Sequence, residues 1–163
     1  MDYKILSKED FDAVVTGELT HYAIWLEDEI IQILADHFSR EASRDDFVRL
    51  ILRRDGLSFQ SKIDIVRAAA PLFRDQSAAG KLKGLLKRVE EFKAFRNAFA
   101  HGLDRTPDET KNEIHIGLVN RAGRETIQKV TPQSHTASLE SAEILLSEVR
   151  AVREALAAQA LKG

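Results

Sequence analysis

Residues 77–102 read S-A-A-G-K-L-K-G-L-L-K-R-V-E-E-F-K-A-F-R-N-A-F-A-H-G. Leu82, Leu85, Leu86, Val89, Phe92 and Phe99 recur at helical spacing, so the stretch predicts one long amphipathic helix opened by Ser77. Gly102 is where that helix should stop. Gly84 costs it about 1 kcal/mol against alanine, and is expected to allow close packing with a neighbour. The helix is the basic element of a mildly acidic chain. Residues 76–101 carry Lys81, Lys83, Lys87, Arg88, Lys93 and Arg96 against Glu90 and Glu91, whereas residues 2–46 hold twelve acids and four bases.

The surrounding sequence is mostly helical. Ser7 can cap a helix running to Phe38, with a break expected near Thr16-Gly17. Leu19, Tyr22, Ala23, Leu26, Ile30, Ile33, Leu34 and Phe38 keep the 3.6-residue period. A short helix is expected over 47–54, with Phe47, Leu50 and Ile51 inward and Gly56 ending it. Ser58 can cap the next helix, with Ile63, Val66 and Ala70 on one face. Residues 104–112 read as a polar loop. The period then changes to two: Ile114, Ile116 and Leu118 alternate with His115, Gly117 and Val119. A turn at 120–123 and a second strand over 126–131 complete a hairpin. The last helix is expected to start near Thr136, with Leu139, Ala142, Leu145, Leu146, Val149, Val152 and Leu156 as its stripe. The fold class is therefore mainly α: a bundle of four to five helices in one domain, residues 1–163, with a β-hairpin insert at 113–131.

Composition narrows function. The 163 residues are 44% apolar and 31% charged, with net charge −2 and pI about 6.2. No global positive field draws the chain to nucleic acid, so any such site must be local. The absence of cysteine rules out disulfides and thiolate metal sites. No signal-peptide layout and no membrane-length apolar run occurs, which predicts a cytoplasmic protein with no membrane partner. His21, His37, His115 and His135 show no metal-ligand spacing, so neither a metal nor another cofactor is expected. The acids Glu27-Asp28-Glu29 read as a solvated helix face. Trp25 is expected in the core or at a dimer interface.

The end of the long helix carries the candidate chemistry. Asn97 and His101 are four apart and share a face if the helix persists to His101, with Lys93 one turn before. Arg96 lies about 100° round from Asn97, within reach of a long side chain. Metal-free RNA scission needs a proton carrier near neutral pH, which histidine supplies. It also needs a fixed cation for the charge that builds on phosphorus oxygens, which arginine supplies. A single histidine leaves one proton transfer unassigned, and two copies across a two-fold axis would supply the second. The same residue types also suit a helix C-terminus, where Asn and His bond carbonyls and a protonated His meets the dipole. Spacing alone leaves both readings open.

R-N-A-F-A-H-G resembles the arginine, polar residue, three residues, histidine motif of the HEPN superfamily (higher eukaryotes and prokaryotes nucleotide-binding domains). The likeness extends to the amphipathic helix before it and the phenylalanine preceding the arginine. Leu57-Ser58-Phe59-Gln60-Ser61-Lys62-Ile63 is similar to an S-F-x-x-K-I segment of mannitol-operon-repressor-like helical proteins. The resemblance covers roughly residues 19–101 and, in outline, the final helix; the hairpin is outside it. It implies a metal-independent endoribonuclease, a toxin or phage-defence component, with an active site in a homodimer cleft and an antitoxin protein as a partner. Carried onto this chain, it implies Arg96, Asn97 and His101 as the catalytic set, with Lys93 and Lys62 expected to bind RNA. The alternative is a non-catalytic HEPN-like module that binds protein or nucleotide.

Overall fold

Ser7 opens the first helix by a reciprocal cap: its Oγ accepts the Asp10 N–H at 3.1 Å and donates to the Asp10 carboxylate at 2.9 Å. The computed structural model describes residues 3–119 and 122–160. In it, helix α1 runs unbroken over Lys8–Phe38. The expected break at Thr16-Gly17 is absent. Apolar side chains are buried on both sides of Gly17, at Val15 and Leu19, and that burial outweighs the roughly 1 kcal/mol cost of one glycine.

Next come α2, Arg44–Phe47, and a π-turn, Val48–Leu52. This corrects the helix expected over 47–54. The Arg53 N–H reaches back five residues to the Val48 carbonyl at 2.8 Å, and the wider winding shifts the inward position. Leu52 is buried, whereas Leu50 and Ile51 are half exposed. Gly56 ends the segment at φ +96°. Ser58 then caps α3, Phe59–Ala69, by accepting the Ser61 N–H at 3.1 Å.

Helix α4 spans Gln76–His101. Its cap is Asp75, whose carboxylate accepts the Ala78 N–H at 2.9 Å, rather than Ser77. Gly84 does not serve close packing within the chain: a Cβ there would meet nothing within 4 Å. Beyond Gly102 the chain does not loop at once. Leu103–Asp104 forms strand β1, which pairs antiparallel with β2, Ile114–Val119. β2 pairs in turn with β3, Glu125–Val130. The sheet order is β1-β2-β3. Of the expected turn, Asn120 and Arg121 lie outside the described residues; Gly123 sits at φ +75°. Helix α5 covers Pro132–Ala160 and starts four residues earlier than expected. Thr131 caps it, its hydroxyl accepting the Ser134 N–H at 3.3 Å, and Pro132 suits the first helical position. The chain is thus mainly α, with five α-helices among the described residues and a small antiparallel sheet before the last.

The chain divides into two compact units, Met1–Ala23 with Phe92–Glu143 and Ile24–Glu91 with Ile144–Gly163. The core of the first unit joins Phe11, Val15 and Leu19 of α1 to Ala98 and Phe99 of α4 and to Ile114, Ile116 and Val130 of the sheet. The sheet therefore turns one face to helices and the other outward. His135 is fully buried beside this core; its Nε2 lies 2.7 Å from the Glu18 carboxylate, and the Tyr3 and Phe11 rings stand edge-on to it.

In the second unit, ion pairs link α1, α3, α4 and α5. Arg67 of α3 holds Glu90 of α4 at 2.7 Å, and Arg88 of α4 holds Glu148 of α5. The acids Glu27-Asp28-Glu29 correct the expectation of a solvated face. Glu27 meets Lys62 at 2.5 Å, Asp28 meets Arg53, and Glu29, only 5% exposed, meets Arg150 at 2.9 Å and Arg153 at 3.0 Å. A carboxylate so buried stays charged only when it is paired. Trp25 is 49% exposed, which removes it from the core.

Gly102 and Gly84 should respond oppositely to the same change. A methyl at Gly102 would collide with Ile116 Cγ2 and with the Ala98 carbonyl, so Gly102→Ala is expected to cost about 1–3 kcal/mol. Gly84→Ala meets open space and should stabilise by roughly 0.5–1 kcal/mol. Urea unfolding of the two variants against the parent reads both values.

Candidate functional site

The last turns of α4 belong to the first unit, and the phenylalanines fix their orientation. Phe92, Phe95, Ala98 and Phe99 pack on its core, with the Phe95 and Phe99 rings edge to face at 5.2 Å. At 100° per residue, Asn97 and His101 then fall one turn apart on the side away from that core, with Lys93 a turn earlier. Arg96 lies on the flank and is half-buried, as are Lys93 and Asn97. Ala94 and Ala100, on the same side of the helix, are exposed and small.

Arg96 Nη1 donates to Asn97 Oδ1 at 3.1 Å. Its Nε is buried and has no hydrogen-bond partner. Asn97 therefore aims the guanidinium rather than bonding a helix-end carbonyl. His101 is exposed, and its imidazole makes no hydrogen bond among the described residues. Neither side chain caps the helix. The terminus is closed by the backbone, Gly102 N–H to the Ala98 carbonyl at 2.7 Å.

The segment after His101 is tied down on two sides. Leu103 pairs with Gly117 and Asp104 with Ile116, and the Arg105 N–H continues the ladder to the His115 carbonyl at 2.8 Å. Asp104 accepts the Thr106 N–H at 2.8 Å, and the Thr106 hydroxyl accepts the His115 N–H at 2.9 Å. From α1, Lys8 reaches Asp104 at 3.1 Å and the Thr106 carbonyl at 3.4 Å. The Thr106 side chain and N–H, then Lys8, hold the Asp104 carboxyl down at about 2.

Lys62, expected to bind substrate, lies in the second unit. It is 5% exposed, and its charge is matched there by Glu27. Among the described residues no three His, Asp or Glu side chains converge as a metal cluster, and no helix is long and apolar enough to cross a membrane. The anchor of Asp104, Thr106 and Lys8 was not visible in the sequence; a two-residue strand is too short to show a period. Comparisons with protein-family models, curated proteins and solved structures find no match for the chain.

The sign of the Asp104 shift sets a pH test. A carboxyl held below its unfolded value stabilises the fold above pH ~4, and loses that contribution as pH falls toward 2. Asp104→Ala should therefore melt below the parent at pH 7, and the gap should close between pH 4 and 2. Circular-dichroism melts across that range check it.

Proposed function

We propose that the protein is a metal-independent endoribonuclease of HEPN type. The observation that carries this reading is the end of α4: an Arg96 guanidinium held by Asn97 at 3.1 Å, on the same last turns as an exposed His101 with no hydrogen bond among the described residues. A helix cap would need His101 or Asn97 to bond the terminus, and neither does.

The chemistry derives from these groups. The ribose 2′-oxygen attacks the adjacent phosphorus as the bond from phosphorus to the 5′-oxygen breaks. The 2′-oxygen gives up a proton and the 5′-oxygen takes one, leaving a 2′,3′-cyclic phosphate and a 5′-hydroxyl. His101 transfers a proton at one of these oxygens, since imidazole exchanges protons near neutral pH. Arg96 meets the charge that builds on the non-bridging oxygens, with a fork matched to phosphate geometry. Asn97 keeps that fork in place, and Lys93 attracts the backbone. The second proton transfer falls to His101 of another copy, which makes a homodimer part of the proposal. Such an activity suits a toxin or phage-defence component restrained by an antitoxin protein.

The test is cleavage of a structured RNA in EDTA, with product ends analysed. The parent should leave 2′,3′-cyclic phosphates, and His101→Ala and Arg96→Ala should each slow cleavage by about 10²-fold or more. Equal rates for parent and His101→Ala would sink the proposal. RNA bound but not cut by the parent would assign the same residues to a non-catalytic binding module.

A further inference from the structure

Strand β3 is an edge. The sheet order is β1-β2-β3, and among the described residues no strand pairs with the outer side of β3. Its cross-strand neighbours on β2 place Glu125, Ile127 and Lys129 opposite Val119, Gly117 and His115. These are the positions facing away from the core, because Ile114, Ile116 and Val130 face into it. Ile127 is 62% exposed at the middle of the strand.

An exposed edge strand invites pairing, and proteins commonly block it with a free lysine, a proline or a bulge. β3 contains no proline, and its lysine is already neutralised: Lys129 Nζ lies 2.5 Å from Glu113. The acid at the other end is neutralised too, with Glu125 2.7 Å from Arg105. The outward face behind this edge thus carries two balanced ion pairs on either side of one exposed isoleucine, with the Glu125 carboxylate lying over Gly117 of β2.

We infer that β3 is a self-pairing edge, through which a second copy of this chain extends the sheet from three strands to six. Antiparallel pairing about a two-fold axis through Ile127 sets Ile127 against its own copy. It also sets Glu125 against Lys129 of the second copy, and Lys129 against its Glu125. Swung from their partners within the chain toward the second copy, Glu125 and Lys129 meet the opposite charge there, once on each side of the axis. Sliding the register by two residues either way puts Glu125 or Lys129 against Ile127 instead, and a slip of one puts outward residues against inward ones. Charge complementarity therefore selects one register, and a second copy is the partner that supplies it. With strands about 4.8 Å apart, the two β1 strands would stand roughly 24 Å from one another. This contact is argued from the β3 edge alone and does not rest on the nuclease reading.

Light scattering on the purified chain tests it. The parent should have a particle mass at least twice the 18.3 kDa of one chain, and Ile127→Lys should halve it. Glu125→Lys and Lys129→Glu, each alone, set like charges opposite and should also halve it. An equimolar mixture of those two variants restores opposite charges across the axis, and should regain the parent mass. A monomeric parent, a mass unchanged in all three variants, or a mixture that stays at the halved mass would overturn the inference. RNA cleavage is read separately, so loss of one claim does not remove the other.

Discussion

The end of α4 is fixed by a place where no side chain fits. At Gly102 the helix backbone meets β2 so closely that a Cβ would strike Ile116 and the Ala98 carbonyl. That contact stops the helix at His101 and feeds Leu103 and Asp104 directly into the sheet. Lys8 then ties the same segment to α1. The hairpin that lies outside the family resemblance thus has a definite mechanical part in this chain. It holds the residue after the histidine, while Phe92, Phe95 and Phe99 set the rotation of the helix. A histidine on a freely fraying helix end would sample many positions; here the turn that carries it is held from both sides.

The two units use α1 differently. In the first it contributes Phe11, Val15 and Leu19 to an apolar core. In the second, beside the buried Ile30, Ile33 and Leu34, it carries a buried Glu29 and the more exposed Glu27 and Asp28, and each carboxylate meets a base from another segment. Removing one partner of a buried pair leaves an uncompensated charge, which costs more than the pair itself contributes. The buried Glu29 and the buried Lys62 opposite Glu27 therefore help specify which segments lie beside α1. With a net charge of −2, the cationic residues of α4's last turns stand in a protein with no broad positive field.

Much of the fold was legible in residue patterns. The 3.6-residue period placed α1, α3, α4 and α5, the period of two placed β2 and β3, and Ser7, Ser58 and Gly56 marked ends by their own chemistry. Several of the misses depend on partners distant in sequence or on segments shorter than a period. β1 has two residues, and its pairing with Ile116 and Gly117 carries no local signal. The π-turn at Val48–Leu52 breaks the periodicity that a helical reading assumes. The Glu27-Asp28-Glu29 run looked solvated because Arg53, Lys62, Arg150 and Arg153 arrive from elsewhere in the chain. At the candidate site, spacing identified Arg96, Asn97 and His101 as neighbours. The Arg96–Asn97 bond and the burial of Lys62 against Glu27 depend on rotamers and on a second helix, which spacing does not encode.

The most direct measurement is chemical-shift mapping on isotope-labelled protein with a short RNA blocked by 2′-O-methyl groups, which can bind but cannot be cut. If the end of α4 holds phosphodiesters, shifts should concentrate on Lys93, Arg96, Asn97, His101 and Gly102, and they should fade as salt is raised. No shifts at those residues, or shifts confined to other surfaces, would contradict the assignment of this helix end as the RNA site.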